Sequence, residues 1–409
     1  MNTYKIHINI MKNKTIILGL LALGSLTALA FTFPTICISK QGPPPTEYQQ
    51  TVSLAPVVAQ QDNTNVSNQI QIALILDTSG SMSGLIDQAK TQLWNIINEL
   101  SKAHKDSTQA NISIALYEYG NDGLSLYNGY IRQVLPFTND LDDISEKLFA
   151  LNTNGGSEYC GRVIKTSLKE LNWQDGDAMK LIYIAGNEPF NQGSVSPKTA
   201  CELASQKQVS VYPIFCGNEQ EGINSGWTEC AQLTAGTYMN IDSDIRTIAV
   251  ATPYDDEISN LNIQLNNTYI HYGQQGRSFK NKQLRQDANQ EGFSKANGVS
   301  RAISKSSKLY GNSHWDLLDA YKSDSTVLLS IDKETLPDSL QALEQEEIET
   351  LVLQKAKERT EIQNKIAENA VKRTAYIAQN QDTTSTQTLG DRMIKTIQKE
   401  AEKNGFVFN

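Results

Sequence analysis

Ile70-Gln71-Ile72-Ala73-Leu74-Ile75-Leu76 is nearly all apolar and runs directly into Asp77-Thr78-Ser79-Gly80-Ser81-Met82. A short, continuous apolar run reads as a strand buried on both faces, the kind found in a sheet with helices above and below it. Leu85, Ala89, Leu93, Ile96, Ile97 and Leu100 follow at helical spacing. Residues 112–117, 131–137, 181–185 and 209–215 repeat the strand texture. Thr138-Asn139-Asp140 caps a helix with Leu141, Ile144, Leu148 and Leu151 on one stripe. This alternation predicts an α/β fold over residues 69–250: a doubly wound, mostly parallel, Rossmann-like sheet.

The segments around this core differ in texture. Lys12 and Lys14 precede an uncharged apolar run, and Ala28-Leu29-Ala30 is a small-x-small cleavage site. Residues 1–30 therefore read as a signal peptide, with an uncleaved N-terminal anchor or lipidation at Cys37 as rival readings. Each places the rest of the chain outside the cytoplasm, in the periplasm or at the cell surface. Residues 31–68 carry Gly42-Pro43-Pro44-Pro45 and aperiodic Gln, Thr and Asn, the composition of a flexible linker. Residues 251–330 form an Asn/Gln-rich extension, read as irregular but packed because Tyr269, Tyr272, Tyr310 and Trp315 require burial, with a largely mobile segment as the alternative. Residues 331–409 read as helical. A helix over 339–379 has acidic residues early and basic residues late, which complements the helix dipole. Its apolar positions keep no clean heptad, which favours one long helix over a coiled coil. Its patchy apolar face predicts loose docking, so that a fragment ending near Val250 folds alone.

Composition excludes several functions. The chain has a formal net charge of −9, which argues against a nucleic-acid surface. His7, His104, His271 and His314 form no H-x-x-x-H pair, and no phosphate-binding G-x-x-x-x-G-K-[ST] is present. Gly80-Ser81-Met82-Ser83-Gly84 carries Met82 where a nucleophile elbow needs serine. Beyond Cys37, Cys160, Cys201, Cys216 and Cys230 are an even set in an exported context and read as disulfides. Cys201–Cys216 and Cys160–Cys230 are the expected pairs, because the helix carrying Cys201 starts at the sheet edge where the strand carrying Cys216 ends. Trp94, Trp173 and Trp227 read as packing residues, and Asp140, Asp142 and Asp143 as the N-terminal face of a helix. Tyr254-Asp255-Asp256-Glu257 reads as a turn before a helix, with Ca²⁺ binding as the rarer alternative.

The loop after the first strand carries the chemistry. Asp77, Ser79 and Ser81 offer a carboxylate and two hydroxyls at i, i+2 and i+4, just outside the carboxyl end of a strand, where ligands of open α/β sheets collect. All are hard oxygen donors, suited to Mg²⁺, or to Mn²⁺ or Ca²⁺, rather than zinc. An uncharged hydroxyl shell leaves such a cation seeking an anionic oxygen from outside.

From Ile72 to Met82, and in the order strand, D-x-S-x-S, helix and alternating units, the chain resembles a von Willebrand factor type A (VWA) domain. The resemblance implies a metal-ion-dependent adhesion site (MIDAS) at the carboxyl edge of the sheet and adhesion to proteins rather than catalysis. It maps D-x-S-x-S onto Asp77, Ser79 and Ser81. In Asn154-Gly155-Gly156-Ser157-Glu158 it places Ser157 as a further hydroxyl ligand, with Glu158 able to add a carboxylate. The last family ligand is an aspartate after the fourth strand, and Gly186 stands there, so Asn187 or Glu188 takes its role. The segments 184–190 and 156–161 are similar to an exported bacterial subgroup of these domains. The implied function is an exported adhesion or scaffold module whose divalent cation captures a carboxylate of a partner protein. A metal-assisted hydrolase and a structural envelope protein with a vestigial metal site are the alternatives.

Overall fold

The computed structural model describes residues 67–242, 250–380 and 388–408. The expected leader and the linker up to residue 66 lie outside the described residues, as does the polar break at 382–386. No helix among the described residues is long and apolar enough to cross a membrane.

The central strand β1 (Gln69–Asp77) is flanked on both sides by parallel partners, β4 (Asn111–Tyr119) and β6 (Met179–Gly186). Two short strands, β2 (Ala103–Lys105) and β3 (Thr108–Gln109), precede β4, and β5 (Ile131–Thr138) pairs antiparallel to it at the edge. On the other side β7 (Ser210–Cys216) and β8 (Met239–Ile241) add in parallel. The order is β5-β4-β1-β6-β7-β8, a mostly parallel, doubly wound sheet as the alternation predicts. Register sets Asp77 opposite Tyr119 and Leu76 opposite Ala185, so the carboxyl ends of β1, β4 and β6 meet at one edge.

Helices α1 (Ser83–Leu100) and α2 (Leu141–Phe149) cover one face. The other is covered by α3 (Cys160–Glu170), α4 (Pro197–Gln206) and α6 (Trp227–Leu233), with the short α5 (Glu219–Asn224) between the last two. Trp94 and Trp227 are fully buried and Trp173 partly so.

The Asn/Gln-rich extension is regular where the sequence suggests irregular packing. It forms α7 (Asp255–Asn266), α8 (Gly276–Phe293) and α9 (Lys295–Ser306). The last two dock on α2 through charge, and α9 packs on α1 through Ser300 to Asn95 and Ser304 to Asn98. Asp140 caps α2 and Asp142 and Asp143 sit in its first turn, as expected, but these acids also receive cations of the extension. Lys282 reaches Asp140 and Asp143, Arg285 reaches Glu146, and the buried Arg301 reaches Asp142. Tyr269, Tyr310 and Trp315 are buried there and Tyr272 partly so. Asp255, in the acidic stretch considered for Ca²⁺, opens α7 and pairs with Arg373.

The expected helix over 339–379 divides. A short α10 (Leu317–Ser323), α11 (Val327–Ser330) and α12 (Asp338–Gln341) precede α13 (Gln345–Asn380). The break lets Leu336 and Leu340 fold beneath Ile348 and Val352 in a satellite core, while the Glu347 carboxylate caps the Glu344 N–H (2.8 Å). Arg359 fixes α13 to the extension through Asp316 (2.6 Å), Asp319 (3.1 Å) and the Thr268 carbonyl (3.0 Å). The α14 helix (Leu389–Lys403) lies along α1. Its Leu389, Met393, Ile397 and Ala401 join the same core as the sheet, and β9 (Val407–Phe408) pairs with β2. Docking of the C-terminal region is therefore not loose: its apolar stripe is continuous with the core of α1.

Candidate functional site

Asp77 ends β1, and its fully buried carboxylate turns back over the following loop. Its Oδ1 accepts from the Ser79 N–H (2.7 Å), and the Ser79 carbonyl accepts from the Met82 N–H (3.1 Å), tightening the turn that opens α1. Met82 is itself fully buried and pins the turn to the core. The Ser79 and Ser81 hydroxyls lie 3.4 Å apart, and Asn187 Nδ2 donates to Ser81 Oγ (3.1 Å). The D-x-S-x-S side chains thus gather at one point, joined by Asn187.

Two further loops close around them. The Asn154 N–H donates to the Thr78 carbonyl (3.0 Å) and the Asp122 N–H to the Gly155 carbonyl (2.5 Å). This lacing sets Glu158 into the site. A Cβ built on Gly120 would lie 2.8 Å from Asp77 Oδ1 and 2.9 Å from Glu158 Cγ, so both acids crowd the bare Gly120 backbone. Gly120 has φ +78°, which glycine adopts without a Cβ penalty. Ser157 is half-buried beside Glu158. Glu188 is half-buried and accepts from Gln192 (3.2 Å), while its carbonyl accepts from Trp227 Nε1 (2.9 Å).

Gly186 leaves no vacancy. Any Cβ there would stand 2.4 Å from Tyr119 Oη and 3.0 Å from Asp77 Oδ2. The fully buried Tyr119 donates to the Ala185 carbonyl (3.1 Å) and receives the Cys160 thiol at 3.6 Å. Tyr119 and Asp122 are the site residues that sequence reasoning missed. The available signal was the Tyr119-Gly120-Asn121-Asp122 stretch at the end of a strand that neighbours β1.

Burial pushes the Asp77 carboxyl up to about 7, against the Ser79 hydrogen bonds and with help from Glu158 and Glu188. Burial, followed by the Glu188 charge, likewise lifts Glu158 to about 7, and the Ser79 hydroxyl partly opposes this. Asp77 Oδ2 is buried without a hydrogen-bond partner. A buried carboxylate oxygen left unpaired is costly unless a cation or proton meets it. Among the described residues no three His, Cys, Asp or Glu side chains group to hold a metal, so any cation here relies on hydroxyl oxygens as well. The donor set of carboxylate and hydroxyl oxygen fits a hard dication.

The cysteines correct the expected pairing. The disulfide joins Cys201 of α4 to Cys230 of α6, with Cα atoms 5.4 Å apart. Cys160 and Cys216 are buried free thiols, so neither Cys201–Cys216 nor Cys160–Cys230 forms. The pairing follows from the packing of α4 against α6, with Cys216 left in the core beside β6. Burial raises both free thiols, which keeps them protonated.

The von Willebrand factor type A domain family matches residues 71–224. Similar solved structures include BatB from Bacteroides thetaiotaomicron, at 16% identity and a TM-score of 0.33, covering 42% of this chain and 90% of that one. A von Willebrand factor type A protein from Catenulispora acidiphila has 16% identity and a TM-score of 0.33, covering 44% and 39%. The pilus adhesin SpaC from Lactobacillus rhamnosus GG has 14% identity and a TM-score of 0.33, covering 44% and 28%. A search of curated proteins finds no match. The sheet order, the D-x-S-x-S loop at its carboxyl edge and the family match converge: residues 71–224 form a von Willebrand factor type A domain.

Proposed function

We propose that this chain is an exported protein-binding module, of adhesion or scaffold type, that captures an acidic group of a partner protein at the carboxyl edge of its sheet. Asp77, Ser79 and Ser81 hold a divalent cation there, Mg²⁺ or else Mn²⁺ or Ca²⁺, with Ser157 and Glu188 as further candidate ligands. A bound dication supplies an open position of positive charge for a carboxylate. The observation that carries the reading is the unpaired, fully buried Asp77 Oδ2 beside two clustered hydroxyls. VWA domains commonly serve as interaction and adhesion modules, which supports the same reading. The Cys201–Cys230 disulfide supports a compartment outside the cytoplasm, periplasmic or cell-surface. In this reading residues 1–30 direct export and 31–68 tether the folded part.

Calorimetric titration of Mg²⁺ and Mn²⁺ into the full chain and into Asp77→Ala tests the proposal. Binding heat with wild type and none with the variant supports it. No heat with wild type across millimolar metal leaves a vestigial site and a metal-independent scaffold.

A further inference from the structure

The resemblance calls for a second carboxylate after β6, and Gly186 denies it. Asn187 and Glu188 are the nearest substitutes along the chain. The geometry favours a different side of the site. Asn187 reaches Ser81 but carries no charge. Glu188 is half-exposed and engaged with Gln192. Glu158, by contrast, is buried, and its Cγ and Asp77 Oδ1 flank the same point above Gly120. The Ser79 N–H holds Asp77 Oδ1 on that side at 2.7 Å.

The β6 side is closed as well as empty of carboxylate. Tyr119 Oη stands where a side chain at 186 would begin, and Trp227 lies 3.2 Å from the same point. Tyr119 is held by the Ala185 carbonyl and the Cys160 thiol, so it has no easy retreat. The carboxylate lost from one wall has a counterpart on the opposite wall.

We infer that Glu158 supplies the second carboxylate of the cation site, from the loop that leads into α3, and that Tyr119 closes the β6 wall where the family places an aspartate. The inference rests on the cation reading of Asp77, Ser79 and Ser81. It deepens that reading by replacing Glu188 with Glu158 as the charged ligand. Two carboxylates balance a dication, so the loss at 186 does not by itself make binding weak. Ligand charge count is a main determinant of affinity at hard-cation sites.

The test is calorimetric titration of Mn²⁺ into the full chain as wild type, Asp77→Ala, Glu158→Gln and Glu188→Gln, with melting of each metal-free protein measured alongside. Glu158→Gln is nearly isosteric, and loss of a buried like charge should leave metal-free melting unchanged or raised. It should weaken Mn²⁺ binding by about tenfold or more, whereas Glu188→Gln changes it by less than about threefold. Mn²⁺ should raise the melting temperature of wild type and fail to do so for Asp77→Ala. Wild-type binding that Asp77→Ala abolishes and Glu158→Gln leaves intact overturns this inference alone. A loss at Glu188→Gln equal to or greater than that at Glu158→Gln also overturns it. Absence of binding to wild type overturns the cation reading and this inference together. As a second arm, Gly186→Asp should melt lower than wild type and gain no affinity; a stable Gly186→Asp that binds more tightly would show the β6 wall to be open.

Discussion

The guanidinium of Arg301 in α9 meets the carboxylate of Asp142 in α2 at 2.8 Å, with both side chains removed from water. Asp287 (2.5 Å) takes the other flank of the same guanidinium and also receives Lys305 (2.6 Å). This chain of charges joins the extension to the VWA domain. Asp142→Ala leaves Arg301 with the Asp287 carboxylate alone and the buried Tyr310 hydroxyl without its acceptor. It is therefore expected to lower stability by about 1–3 kcal/mol in urea unfolding. A loss of less than about 1 kcal/mol would mean that the extension docks without it.

A fragment ending at residue 250 is expected to be insoluble or to melt without cooperativity, contrary to the reading from sequence. It would expose the face of α1 that α14 covers. It would also strip the hydroxyl of Tyr183 from Thr396 (3.0 Å) and that of Tyr212 from Glu400 (3.0 Å). Calorimetric melting of the fragment beside the full chain decides the matter. A sharp transition in the fragment would show the domain to be independent of its C-terminal helices.

Asp77 and Glu158 are both lifted to about 7, from an ordinary carboxyl value of about 4. Between those values the unfolded chain has released the protons while the folded chain still holds them. The unfolded state binds fewer protons there, so these groups reduce stability as pH rises from about 4 to about 7, and the loss is complete above that range. In chelator, the difference in melting temperature between Asp77→Asn and wild type should therefore widen in the variant's favour from pH 5 to pH 8. A difference that is flat across this range would contradict the raised values. Cation binding should strengthen over the same interval, since the ligands must shed their protons.

Peptide mapping without reductant is expected to recover the Cys201–Cys230 bridge, with Cys160 and Cys216 alkylated only after unfolding. Cys230→Ser should cost about 2–5 kcal/mol of stability, while Cys216→Ser leaves the bridge intact. A peptide linking Cys201 to Cys216 would reverse the assignment.

The legible parts of this chain were those where hydropathy and structure agree. The run ending at Asp77 is buried on both sides, and its apolar texture says so. The α8 helix hid itself because its buried face is Gln283, Gln286 and Gln290, the last two hydrogen-bonded to Ser145. A buried stripe of amides has no hydrophobic period to read. The pairing of β9 with β2 depends on two- and three-residue strands that become strands only by meeting. At the site, the absence of an aspartate at Gly186 was visible, and Asp77, Ser79 and Ser81 were found by spacing. That Tyr119 occupies the gap was not legible, because it depends on the register between neighbouring strands.

The clasp between α14 and α1 also dictates when this protein can fold. The Leu389 N–H donates to the Gln88 side chain across 301 residues of sequence (3.1 Å). The helix that follows the D-x-S-x-S loop therefore acquires its outer cover only when a segment 301 residues downstream arrives. Contacts so distant in sequence slow folding and prolong the exposure of unfinished apolar surface. Until that distant segment is in place, the α1 face of the sheet lacks the Leu389, Met393, Ile397 and Ala401 stripe that completes its core.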